Sequence, residues 1–105
     1  MRYDSVQKAI DEIEAELKRL GWWQEERPPE KMFDFKMAFG MDTMPFSSWL
    51  QFILIPRVKD IIESRGEFPK SSYLGTHAIR EYDGVYEADD LISMLATFDK
   101  LIETL

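Results

Sequence analysis

The sequence predicts an all-α protein: a small helical bundle of three main helices plus one short helix, with a long ordered loop between the first two main helices. Three observations lead there. Apolar residues at Val6, Ile10, Ile13, Leu17 and Leu20 alternate three- and four-residue steps, which draws one stripe along a helix. A second stripe runs through Leu91, Leu95, Phe98, Leu101, Ile102 and Leu105. Between them Trp49 to Ile55 is nearly all apolar, and Asp60-Ile61-Ile62-Glu63 then resumes helical spacing, which favours a buried central helix over the rival reading of a central strand.

The first helix reaches Leu20. Asp4 with Gln7 three residues on has the spacing of a capping box, Gly21 suits the position just past the end, and Asp11, Glu12, Glu14 and Glu16 form the acidic outer face. Residues 22–43 break the rhythm. Trp22-Trp23 and a polar run precede Pro28-Pro29, which forbid a continuing helix. Met32, Phe33, Phe35, Met37 and Phe39 are too apolar for a free linker, so this stretch is read as an ordered loop laid over the core, either a lid or a docking surface.

The second main helix starts near Thr43 or Met44, with Thr43 as cap and Pro45 in the first turn, and runs to Ser64-Arg65 with Gly66 as the stop. Pro56 lies inside it and predicts a kink, because proline removes a backbone donor and clashes with the carbonyl of Phe52. The short helix is placed at about 76–82 and ended by Asp83-Gly84. The last is placed at about 88–105, with Glu87, Asp89 and Asp90 near its positive end.

With 105 residues, 45% of them hydrophobic, the chain can build one core, and a single helical domain over 1–105 is expected. That apolar fraction excludes a disordered chain. The absence of cysteine excludes disulfides, thiolate zinc sites and a thiol nucleophile, and suits a cytoplasmic protein. No secretory signal pattern opens the sequence, and the longest apolar stretch, Trp49 to Pro56, is interrupted by Gln51 and too short to span a membrane. Twenty acidic against 13 basic residues give a net charge of −7, and the basic ones are scattered, which argues against direct nucleic-acid binding.

No catalytic plan is legible. Phosphate-binding glycine loops and a GxSxG elbow are absent, and His77 is the only histidine, so paired-histidine metal sites are excluded. His77 is read as a polar group of a loop or first turn. The carboxylates fall where solvated helix faces and first turns put them. No catalytic, cofactor-binding or metal-ligating residue is therefore assigned.

The informative segment is Met41 to Arg57. It sets Asp42, Gln51 and Arg57 in or beside the most apolar helix, where a polar group must be paired or reach solvent. One account makes them structural: Asp42 or Thr43 caps, Gln51 satisfies loop carbonyls, Arg57 pairs with an acidic neighbour. The other makes Arg57 an anchor for a carboxylate or phosphate. Of Trp22 and Trp23, one is expected in the core and one partly exposed. The candidate interaction surface is Asp42, Trp49, Gln51, Arg57, Trp22 and Trp23.

At Met41-Asp42-Thr43-Met44, Trp49-Leu50-Gln51 and Ile55-Pro56-Arg57, with Trp23, Pro28, Phe33 and Phe39 upstream, the sequence resembles the YqcC-like family of small bacterial proteins, whose function is uncharacterised. The resemblance covers about residues 5–65, and the C-terminal third only in character. It implies an all-α bundle and an association with tRNA pseudouridine synthase C, beside which the gene lies in some bacteria. It does not imply that activity, since a pseudouridine synthase needs a mixed α/β catalytic domain with an active-site Asp and a basic RNA cleft; Asp42 is not assigned as catalytic. It supplies no catalytic residues.

The combined expectation is a non-enzymatic interaction module that binds a protein partner, such as a tRNA-modifying enzyme, through a surface near residues 39–57. The alternative is a small-molecule or anion binder, conceivably an enzyme, with Asp42, Gln51 and Arg57 converging on a pocket. No cofactor is implied. The abundance of Met, Phe and Trp leaves a homodimer open.

Overall fold

The computed structural model describes residues 2–105; Met1, where the expected domain begins, lies outside them. Helix α1, Arg2–Arg19, buries Val6, Ile10, Ile13 and Leu17 completely, so the first apolar stripe is the inner face. The expected capping box does not form. The helix is already running at Arg2, Asp4 sits in its first turn, and the Gln7 side chain donates to Asp11 one turn on. Glu16 is also not on the outer face. It is buried and paired with Arg19. The helix ends in a Schellman turn: Gly21, at φ +77°, donates to the Lys18 carbonyl, and Trp22 donates to that of Leu17.

The 22–45 stretch is ordered, as expected, and contains two short 3₁₀ turns, Glu30–Phe33 and Ala38–Gly40. Side chains pin it down. The Thr43 hydroxyl donates to the Met32 carbonyl at 2.6 Å, so Thr43 holds loop to loop and does not cap a helix. Phe33 meets Phe52 edge-on at 6.4 Å, and the Arg27 guanidinium lies 4.0 Å from the Phe33 ring centre. Phe39 adopts a left-handed backbone (φ 58°) and inserts its ring between His77 and Trp49.

The central rod begins at Phe46, with Pro45 just before it as the N-cap residue, not within its first turn. It consists of α2, Phe46–Trp49; a π turn, Leu50–Leu54; and α3, Ile55–Ser64. The disturbance expected at Pro56 takes the form of this π turn just upstream, in which the Ile55 N–H reaches back to the Leu50 carbonyl. A widened turn loosens the carbonyl ladder where proline supplies no donor. Leu50, Ile55 and Val58 are buried, and Phe52, Ile53 and Leu54 half-buried, so more than one face is covered. The rod ends in a second Schellman turn, where Arg65, not Gly66, takes the left-handed conformation (φ 55°).

Helix α4, Leu74–Glu81, starts two residues before the expected position and ends one before it. Helix α5, Asp89–Glu103, follows a 3₁₀ turn at Tyr86–Ala88 and stops short of Leu105, which is exposed. Its Leu91, Leu95, Phe98 and Ile102 are buried against α1 and α4, and α3 closes the core on α1. No strand occurs among the described residues, which makes the bundle all-helical as the sequence predicts.

Candidate functional site

The three polar residues of the informative segment go separate ways. Asp42 stays within the loop: its carboxylate accepts the backbone N–H groups of Lys36 (2.9 Å) and Met37 (3.3 Å). Those bonds, that of Lys36 first, hold its carboxyl below the usual range. Gln51 is buried and grips the backbone of Gln24 from both sides. Its Oε1 accepts the Gln24 N–H at 2.9 Å and its Nε2 donates to the Gln24 carbonyl at 2.7 Å. The Ser48 hydroxyl completes the clamp by donating to Gln24 Oε1 at 2.6 Å. A buried amide with both ends bonded is a structural part, as the first account of Gln51 has it.

Arg57 differs. It is exposed and forms no ion pair with any described carboxylate, contrary to the structural account, which gave it an acidic neighbour. It lines an apolar cleft of about 300 Å³ beside the 68–74 segment, walled by Trp49, Leu54, Val58, Phe68 and Phe98. Asp42 and Gln51 do not line it, so the expected convergence of the three residues is not formed.

Trp49 is buried at 9% exposure and serves as wall. Trp22 and Trp23 are both half-buried, where one core and one partly exposed ring were expected. Trp22 packs on Tyr82 at 5.1 Å, and the Lys18 ammonium lies 4.9 Å from the Trp23 ring centre. Two neighbours on an irregular path each find an aromatic or cationic partner, so neither needs full burial.

Reading the sequence missed two features. Asp99, on α5, reaches across to the start of α4, where it accepts the N–H groups of Leu74 (3.0 Å) and Gly75 (2.7 Å) and the hydroxyl of Ser72. This positions the 72–74 edge of the cleft. His77 is stacked on Phe39 at 4.3 Å and meets Phe46 edge-on at 4.6 Å. Its Nε2 is buried without a partner, and burial lowers its pKa. Among the described residues no cluster of three His, Asp or Glu side chains is placed to hold a metal ion, and no helix is long and apolar enough to cross a membrane.

Residues 5–101 match the model of a protein family described as tRNA pseudouridine synthase C. The chain is 31% identical over 80 residues to the uncharacterized protein YqcC of Escherichia coli K12, covering 76% of this chain and 69% of that one. It is also 31% identical over 70 residues to a protein of Pectobacterium carotovorum named tRNA pseudouridine synthase C; that match covers 67% of this chain but 19% of the relative. The solution NMR structure of E. coli YqcC superposes with a TM-score of 0.86 over 97% of this chain and 88% of that one, at 24% identity, and shares the fold. The chain is a member of the YqcC-like family, the one whose model bears the synthase's description.

Proposed function

We propose that this protein is a cytoplasmic, non-enzymatic interaction module whose partner is a tRNA-modifying enzyme, a tRNA pseudouridine synthase of the same cell. The observation that carries the reading is the Pectobacterium relative. There the stretch similar to this chain fills 19% of a protein bearing the synthase name. In the E. coli relative the similar stretch spans 69% of a small separate protein. A module that shares a chain with its partner in one organism meets it at high effective concentration. A free-standing one has to bind instead.

Charge supports the pairing. An enzyme that grips tRNA presents basic surface to phosphates, and a chain of net charge −7 complements such a surface. The docking face suggested is the exposed part of the segment near 39–57. Met37 and Met41, 51% and 52% exposed, belong to the loop that the Asp42 carboxylate holds through the Met37 N–H. Methionine suits such a face because its flexible thioether adapts to a partner's contour.

The test is a calorimetric titration of the nuclease-treated protein with the purified synthase of its own organism. A stoichiometric complex is expected, weakened at least about tenfold by Met37→Asp with Met41→Asp while circular dichroism stays unchanged. Absence of a complex with the wild-type chain sinks the reading. An unchanged affinity in the double variant moves the docking face elsewhere.

A further inference from the structure

The cleft beside Arg57 has a chemical character of its own, independent of docking to a synthase. Its walls are hydrocarbon and aromatic, contributed by Trp49, Leu54, Phe68 and Phe98. No carboxylate lines it, although the chain carries 20, and Arg57 is the one cation in the lining. That guanidinium is not consumed by any described acidic side chain. The cleft volume of about 300 Å³ falls at the small end of ligand-binding cavities.

The way the rod is built supports a made site. Along a regular helix the residue following Trp49 on the same face would be Ile53. The π turn inserts an extra residue, so Leu54 comes next, and Arg57, Val58 and Ile61 continue the lining. One irregular turn therefore brings the apolar wall and the cation to the same cleft, and such turns recur at functional sites.

We propose that this cleft binds a small amphipathic anion, a carboxylate carried on a short apolar body. The apolar part lies against Trp49, Leu54 and Phe98. The carboxylate meets the Arg57 guanidinium, whose fork donates to both oxygens, and Ser71 also lines the cleft. Charge selects the head group, since a cation is repelled by Arg57 and a neutral alcohol offers it one uncharged acceptor in place of two charged oxygens. Small area and an open mouth make the site a weak one, read by selectivity and not by tight binding.

The experiment is an NMR titration of the ¹⁵N-labelled full chain with octanoate, and with 1-octanol as the neutral probe of equal length. Octanoate is expected to produce saturable shifts confined to residues around Leu54, Arg57, Val58 and Ser71, with an affinity above that of octanol. Arg57→Gln, at an exposed position, should lower octanoate affinity about tenfold and leave octanol unchanged. Equal affinities for the two probes, an equal loss for both in the variant, or shifts elsewhere on the surface would each overturn the proposal. So would octanoate insensitivity in a chain whose cleft resonances move only when the synthase is added, which makes the cleft a pocket for a partner's side chain. Calorimetry with the synthase is scored separately, so either idea can fail alone.

Discussion

Asp99 holds the start of a helix it does not belong to. Its carboxylate satisfies two of the free N–H groups at the head of α4 and one hydroxyl. An ordinary cap sits next to the helix it caps, and its loss costs about 1–2 kcal/mol. Asp99→Ala is expected to cost about that much in urea unfolding, because the same N–H groups lose their acceptor. Asp99→Asn, which keeps one acceptor oxygen, should fall between variant and wild type. The long reach of this cap also explains why the sequence placed α4 two residues late: the signal for its start is 25 residues downstream of Leu74. Gln51 is a parallel case. A polar residue in an apolar run was legible as needing a partner, but the partner is main chain 27 residues away, and no local pattern marks it. Arg57 was legible as a candidate from its place beside Pro56 in an apolar run, but the sequence, with Asp60 three residues on, did not show that the expected ion pair fails to form.

The elements pack as closely as their smallest residues allow. A methyl group added at Gly75 would lie 2.8 Å from the Cα of Ala96 on α5, against main chain that has no rotamer to yield. Gly75→Ala is therefore expected to force α4 and α5 apart and to destabilise by about 1–3 kcal/mol in denaturant unfolding, despite alanine's better helix propensity. Adding Ala96→Gly should recover part of that loss, which a double-mutant cycle reads as coupling. Helix periodicity made α1, the rod and α5 visible because each carries a continuous stripe. It did not make the π turn visible. Apart from Gln51 the 49–55 run is apolar, so an extra residue in one turn leaves the pattern unchanged, and the cleft that this residue helps to line stayed hidden with it. Pro56 was the only mark that the ladder is interrupted.

At the scale of the whole molecule, stability depends on pH through two separate groups of side chains. Glu14, Glu16 and Asp42 are held below their ordinary values by Lys18, by Arg19 and by the Lys36 N–H respectively. Their contribution is complete above the ordinary carboxylate range and is lost as pH falls through the lowered values. His77 acts earlier. Burial lowers its pKa from 6.5, partly opposed by Glu81 and reinforced by Arg80, so the folded chain holds the imidazole neutral. Its contribution is complete above pH 6.5 and is lost as pH falls below that value through the lowered one. The urea midpoint of the wild type is therefore expected to begin falling as pH drops below 6.5, before the carboxylates titrate. His77→Phe, which keeps an aromatic ring between Phe39 and Phe46, should flatten that limb. If the slope survives, another group carries it.

The meeting of α1 with α5 sets the order in which the chain can finish folding. The buried stripe of α1 is covered largely by α5, which follows every other helix of the bundle in chain order. While the ribosome is still making residues 20–88, Val6, Ile10, Ile13 and Leu17 have only part of their eventual cover. The growing chain thus carries an open apolar seam until α5 emerges, and closure is a late, long-range event. Stalled or truncated chains lacking α5 are the forms that chaperones and proteases would meet.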